Sequence, residues 1–114
     1  MAGFASLLTG KKVFVTGGSR GLGRALALEC ARHGAAVAFN FHSDAQAAAA
    51  TRVAIEALGV RALSHQVSVL DAAGLTLAIE QTEQALGGID ILINNAGISQ
   101  PLPLALMEDA DFDE

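Results

Sequence analysis

The chain has 114 residues, of which 52% are hydrophobic and 17% are charged, and its mean hydropathy is +0.43. This length holds one domain, and this apolar content excludes a disordered or low-complexity protein. The net charge of −5 comes from residues 108–114, which hold five of the twelve acidic side chains and no basic one, so the remaining 107 residues balance at seven against seven. Such a neutral body predicts no binding of nucleic acid.

The cysteine count and the apolar runs bear on the compartment. Cys30 is the only cysteine, so no intramolecular disulfide can form, and its place in an apolar helical stretch predicts a small buried thiol. The apolar N-terminus precedes Lys11 and Lys12, which reverses the order of a secretory signal. No stretch of about 18 residues is apolar without interruption, as a membrane span requires. These features predict a reducing, cytoplasmic location and no membrane contact.

Apolar runs and helical patterns alternate along the chain. Short runs bounded by turn residues predict strands over 12–16, 36–41, 61–69 and 89–93. Helical patterns predict helices over 21–33, 43–58 and 71–86. Ser43, three residues before Gln46, has the pattern of a capping box, and Asp71 is a plausible N-cap for the last helix.

This order of elements predicts an α/β fold. Each crossover is long enough to hold a helix and to return the chain parallel to its start. Right-handed crossovers then give a Rossmann-type, doubly wound parallel sheet of about four strands with helices on both faces. The near-continuous apolar strands agree, because such strands are buried on both sides. No linker or repeat divides residues 1–114, so they are predicted to form a single domain.

A cluster of glycines follows the first predicted strand and opens the first helix. Gly17, Gly21 and Gly23 stand in the spacing Gly-xxx-Gly-x-Gly, and residues without a β-carbon let backbone N–H groups approach a phosphate. The helix that follows presents free N–H groups and the positive end of its dipole to an anion. A P-loop would need Lys and Ser or Thr where Arg24 and Ala25 stand, and the GxGxxG fingerprint is also missing. The position of the cluster predicts a pyrophosphate at this turn.

A second polar cluster, Asn94-Asn95-Ala96-Gly97, directly follows the fourth predicted strand. In a doubly wound sheet that strand ends beside the first strand, at the topological switch point. Two consecutive side-chain amides there can satisfy backbone groups of the neighbouring strand or loop. Alone, the cluster favours an ordinary turn. Together with the glycine cluster, it indicates a ligand site.

The pair of motifs, Thr16-Gly-xxx-Gly-x-Gly23 and Asn94-Asn-Ala-Gly97, resembles the short-chain dehydrogenase/reductase family over residues 9–112, and 3-oxoacyl-(acyl-carrier-protein) reductases in particular. The resemblance implies four of the family's seven strands. It also implies hydride transfer between a nicotinamide cofactor and a small carbonyl or alcohol substrate, in a full-length protein that is a homo-oligomer. The cofactor contacts that it implies are Gly17, Ser19, Arg20, Gly21, Leu22, Gly23, Asn95, Ala96 and Gly97.

The end of the second predicted strand bears on the choice of cofactor. A site for NAD(H) places a carboxylate there for the adenosine ribose, whereas Asn40 and His42 stand at this corner and the first acid is Asp44. A 2′-phosphate therefore meets no repulsion, and Arg20 can give it a charge-assisted contact. These residues favour NADP(H) over NAD(H) and predict Asn40 and His42 as further contacts.

The last predicted contacts concern the adenine of the cofactor, and the histidines concern a metal site. Ser68 and Val69 stand at the end of the third predicted strand, where the family often has Asp-Val, so a neutral hydroxyl replaces a carboxylate among the predicted adenine contacts. The three histidines fall in different elements without metal-ligand spacing, which predicts no metal site.

The family's catalytic groups have no counterpart here. Hydride delivery to a carbonyl generates an alkoxide that needs a proton donor; the resemblance assigns this role to a Tyr with a Lys four residues later, and the chain contains no Tyr. No residue is therefore predicted as catalytic, and the 114 residues alone are predicted to be inactive. Three interpretations stay open: the N-terminal part of an NADP-dependent oxidoreductase, with its Rossmann domain incomplete at the C-terminus; a stand-alone nucleotide-binding module; and an interaction protein that pairs with a full-length relative.

Overall fold

The computed structural model describes residues 7–19 and 21–95. In chain order the elements are β1 (Lys12–Val15), α1 (Gly21–Arg32), β2 (Ala36–Phe41), α2 (Ala45–Glu56), β3 (Ala62–Gln66), α3 (Ala72–Leu86) and β4 (Ile91–Ile93). Their order is the one that the sequence predicts. None of the helices in these two ranges is long or apolar enough to cross a membrane.

The four strands form one parallel sheet in the order β3-β2-β1-β4. Val13 in β1 pairs with Val37 in β2 on one side and with Ile91 in β4 on the other. The chain therefore runs outward from β1 to β3 and then crosses back to the other side of β1. That reversal creates a switch point at the carboxyl ends of β1 and β4, where open α/β sheets bind their ligands.

Helices cover both faces of the sheet. The larger core cluster, between the sheet and helices α1 and α2, is formed by Val13, Val15, Ala27, Leu28, Ala31, Ala35, Val37, Phe39, Phe41, Ala48, Ile55 and Ala62. On the other face, the ring of Phe14 stacks on His65 at 6.3 Å between ring centres. His65 in turn contacts the Thr82 hydroxyl of α3. The predicted Rossmann-type, doubly wound architecture is confirmed.

The N-cap prediction is right for α3 and wrong for α2. The Asp71 carboxylate accepts from the amide of Gly74 at 2.9 Å, as expected. In α2 the N-cap is Asp44 rather than Ser43, and its carboxylate accepts from the amide of Ala47 at 3.0 Å. Both residues are good N-caps, and the carboxylate also interacts favourably with the positive end of the helix dipole.

Besides β1, which ends at Val15 rather than at residue 16, two strands are shorter than the sequence predicts. β3 stops at Gln66, the partner of the last residue of β2, because no strand continues beside it. The chain then turns into α3, and the Ser68 hydroxyl accepts from the amide of Leu70 at 3.0 Å. β4 begins at Ile91 rather than at residue 89. Both strands are only partly buried, which corrects the expectation that every strand is buried on both sides.

Cys30 is half-buried against the core rather than fully buried. Burial, together with a smaller effect of the Glu29 charge, raises the pKa of its thiol. A thiol with a raised pKa stays protonated at neutral pH and packs as a small apolar group, which agrees with a structural role.

Candidate cofactor-binding site

The glycine turn connects β1 to α1 at the switch point. Gly17 has φ +69° and Gly21 has φ +61°, a left-handed conformation that residues with a β-carbon rarely adopt. Gly23 is required for a different reason, because a β-carbon there would overlap the carbonyl oxygen of Gly17 and lie 2.7 Å from Nδ2 of Asn95. The first turn of α1 therefore packs directly against the loop that precedes it.

Asn40 holds the glycine turn from the side of β2. Its side-chain oxygen accepts from the amide of Gly17 at 3.0 Å, and its backbone carbonyl accepts from the amide of Gly18 at 3.3 Å. Its side-chain nitrogen donates to the carbonyl of Val67 at 2.9 Å. Asn40 is 2% exposed, so the structure gives it a supporting role. A direct contact between Asn40 and a cofactor stays a prediction.

The two asparagines after β4 hold the same turn from the opposite side. Nδ2 of Asn95 donates to the carbonyl of Gly17 at 3.3 Å. The Thr16 hydroxyl donates to Oδ1 of Asn94 at 3.1 Å, and the Thr16 amide donates to the carbonyl of Ile93 at 2.9 Å. The predicted use of these amides to satisfy neighbouring polar groups is what the structure shows. The motif therefore locks the end of β4 to the glycine turn.

A third support comes from α2 and was missed by the sequence analysis. The Thr51 hydroxyl donates to the carbonyl of Ser19 at 2.8 Å. Ala48, Thr51 and Ile55 are the buried residues of α2, at the spacing of an apolar helix face. A polar side chain at a core position of such a face was the signal that could have identified Thr51.

The start of α1 leaves backbone donors available. Within the described ranges, the amides of Ser19, Gly21 and Leu22 have no protein acceptor. The first amides of a helix lack intrahelical partners, and they lie at the positive end of the helix dipole. An oxyanion is the group that fits such donors best. The turn is therefore suited to a phosphate or pyrophosphate.

The remaining predicted contacts lie at the carboxyl ends of β2 and β3. His42 is exposed, and its carbonyl accepts from the Gln66 side chain at 3.4 Å. Val69 is 38% exposed beside the half-buried Ser68. The carboxylate of Asp44, the first acid after β2, caps α2. Arg20, Ala96 and Gly97 lie outside the described residues.

The histidines do not form a metal site in the described part of the chain, which holds no group of three or more His, Cys, Asp or Glu side chains able to bind an ion. His33 contacts Glu29 on the surface of α1 at 3.1 Å. His65 contacts Thr82 at 3.0 Å, and burial lowers the pKa of its imidazole. The expectation that the protein binds no metal stays a prediction.

A doubly wound sheet with a glycine turn and paired asparagines at its switch point defines a Rossmann-type cofactor domain. The family model described as short chain dehydrogenase matches residues 11–114. The chain belongs to this family of oxidoreductases.

Three relatives illustrate the similarity. The 3-oxoacyl-(acyl-carrier-protein) reductase of Staphylococcus aureus is 36% identical over 104 residues, which cover 91% of this chain and 42% of the relative. The L-rhamnose 1-dehydrogenase (NAD(P)(+)) of a Sphingomonas species is 43% identical over 93 residues, covering 81% and 36%. A Burkholderia cenocepacia short chain dehydrogenase, solved in complex with NADP, is 43% identical with a TM-score of 0.78, covering 85% and 42%. The chain thus spans about two fifths of the length of its curated relatives.

Proposed function

We propose that residues 1–114 belong to one cofactor-binding domain that binds NADP(H) at the glycine turn. The domain serves a short-chain oxidoreductase that transfers hydride between the nicotinamide and a small carbonyl or alcohol substrate. The observation that carries this proposal is the glycine turn, which is held by side chains from β2, α2 and the end of β4. The amides of Ser19, Gly21 and Leu22, which have no protein acceptor among the described residues, suit a pyrophosphate.

Each part of the site has a role in this proposal. The amides of Ser19, Gly21 and Leu22 donate to the pyrophosphate, and the α1 dipole stabilises its charge. The half-buried Ser68 and the exposed Val69 contact the adenine at the end of β3. When bound, the nicotinamide would donate hydride to a carbonyl or accept it from an alcohol, while the residues of this chain bind and orient the cofactor.

The preference for NADP(H) rests on charge at the end of β2. The exposed His42 stands there, and the first acid, Asp44, caps α2, so residues 40–43 place no carboxylate beside a 2′-phosphate. Arg20 supplies the charge-assisted contact. The neighbour that was solved with NADP supports this preference. The name of another relative covers both NAD and NADP, so it favours neither cofactor.

Calorimetric titration tests this proposal. The wild-type chain should bind NADPH more tightly than NADH, and Arg20→Ala should weaken NADPH binding about tenfold or more through the loss of a charge-assisted contact, while NADH binding changes little. Arg32→Ala is the matched control, because Arg32 lies at the other end of α1 and pairs with Glu29. Equal or tighter binding of NADH, or an unchanged NADPH affinity in Arg20→Ala, would contradict the preference. A chain that only pairs with a full-length relative would bind neither nucleotide.

Catalysis by the 114 residues alone is a separate matter. We propose that they bind cofactor without turnover, because the sequence contains no Tyr to protonate the alkoxide that hydride transfer leaves. NADPH oxidation by the purified 114-residue chain, followed by absorbance with a panel of aldehydes and ketones, should stay at the rate of the protein-free control. Turnover above that rate, abolished by heat denaturation of the chain, would show that another group donates the proton.

A further inference from the structure

Helix α2 reaches the glycine turn through one side chain. Thr51 is fully buried, and its hydroxyl donates to the carbonyl of Ser19 at 2.8 Å across 32 residues of sequence. Ser19 itself is 8% exposed. A buried carbonyl needs a partner, and a hydroxyl is the only polar group that α2 brings to its buried face.

A second buried threonine shows that this use of the hydroxyl is unusual. A threonine inside a helix commonly donates to the carbonyl four residues earlier in its own helix. Thr82 in α3 does so, with Ala78 as acceptor at 2.9 Å. Thr51 is equally buried, yet its hydroxyl donates to the carbonyl of Ser19, outside its own helix.

Ser19 is also the last described residue of the turn before α1. Earlier in the turn, Asn40 holds the amides of Gly17 and Gly18, and Asn95 holds the carbonyl of Gly17. Those contacts end at Gly18. Thr51 therefore provides the side-chain support of the turn at Ser19, next to the amides that are available to a ligand.

We infer that Thr51 is a positioning residue of the cofactor site, an inference that rests on the proposed function. By holding the Ser19 carbonyl, Thr51 keeps the glycine-rich turn in the conformation that presents its amides to the pyrophosphate. Glycine has more backbone freedom than any other residue, so a turn without this support would lose more entropy when it binds a ligand. The Thr51 hydroxyl therefore raises the affinity for the cofactor by holding the turn in its binding conformation before the cofactor arrives.

Three variants separate positioning from plain stability. Thr51→Val keeps the shape and removes the hydroxyl, Thr51→Ser keeps the hydroxyl, and Thr82→Val removes an equally buried hydroxyl away from the turn. NADPH affinity is measured by fluorescence titration, and the free energy of unfolding is measured by urea denaturation. Thr51→Val should weaken NADPH binding about three- to tenfold, the loss of one hydrogen bond. Thr51→Ser and Thr82→Val should stay within about twofold of wild type, whatever their effect on stability.

Amide hydrogen exchange in the ligand-free protein gives a second readout. Thr51→Val should speed exchange at Gly17 and Gly18, whose amides are hydrogen-bonded to Asn40, and Thr82→Val should not. Unchanged affinity and exchange in Thr51→Val, or failure of Thr51→Ser to restore them, would overturn the inference. If Thr51→Val does not fold, Thr51→Ser and Thr51→Ala replace it as a pair that differs only in the hydroxyl. If the wild type binds no nicotinamide cofactor, the proposed function fails, and the exchange rates still decide whether Thr51 orders the turn.

Discussion

At the scale of single residues, Asn40 connects two parts of the site. One buried amide joins the turn after β1 to the end of β3, since its oxygen accepts from Gly17 and its nitrogen donates to Val67. The phosphate end and the adenine end of the proposed site are thus held at a fixed separation by one side chain. Loss of the Asn40 side chain would leave two backbone groups without their hydrogen-bond partner.

Asn40→Leu should therefore be strongly destabilising. It keeps the size of the side chain but leaves the amide of Gly17 and the carbonyl of Val67 without their partner, which should lower the free energy of unfolding by about 2 kcal/mol or more. Urea denaturation measures the change. Gln66→Leu is the control, because Gln66 is exposed and its hydrogen bond to His42 is long; it should cost at most about 0.5 kcal/mol. An Asn40→Leu protein as stable as wild type would contradict this prediction and would indicate that water molecules bond the two backbone groups instead.

At the scale of elements, a half-buried histidine joins β3 to α3. The Thr82 hydroxyl uses its proton in the bond to Ala78, so it accepts from His65, whose Nε2 lies 3.0 Å away. The His65 ring also stacks on Phe14. Burial lowers the pKa of His65, which keeps the imidazole uncharged where it joins strand to helix.

This pairing predicts loss of stability in mild acid. The unfolded chain protonates His65 at its ordinary pKa of about 6.5, whereas the folded protein resists protonation until a lower pH. The unfolded state therefore binds more protons, and the free energy of unfolding should fall as pH drops below about 6.5 and level off below the lowered pKa. Urea unfolding at several pH values measures the decline, which His65→Gln should reduce and the exposed-site variant His42→Gln should retain. An identical decline in His65→Gln would assign it to other groups.

At the scale of the whole molecule, the sheet follows from local signals. β2 begins and ends where the sequence predicts, at Ala36 and Phe41, because turn residues flank its apolar run on both sides. The pairing of β1 with β4 is the strand order of a doubly wound sheet, which reverses after β3. The glycine turn is equally visible, since its glycines are needed for positive φ and for close packing.

The remaining details depend on partners distant in sequence. The end of β3 is set by the length of β2, and nothing within 61–69 marks it. Thr51 acquires its role only because α2 packs beside Ser19, 32 residues earlier. Such contacts are properties of the assembled fold rather than of local sequence.

The bond from Asn95 to the Gly17 carbonyl spans 78 residues, and this span has a consequence for synthesis. While the ribosome still holds β4, a growing chain has β1, the glycine turn and α1 but lacks the amide that fixes that carbonyl. Contacts of such long sequence separation form late, because closing the loop between them costs entropy first. The glycine turn therefore gains this support only after β4 has left the ribosome, and under the proposed function nucleotide binding during translation follows the emergence of β4.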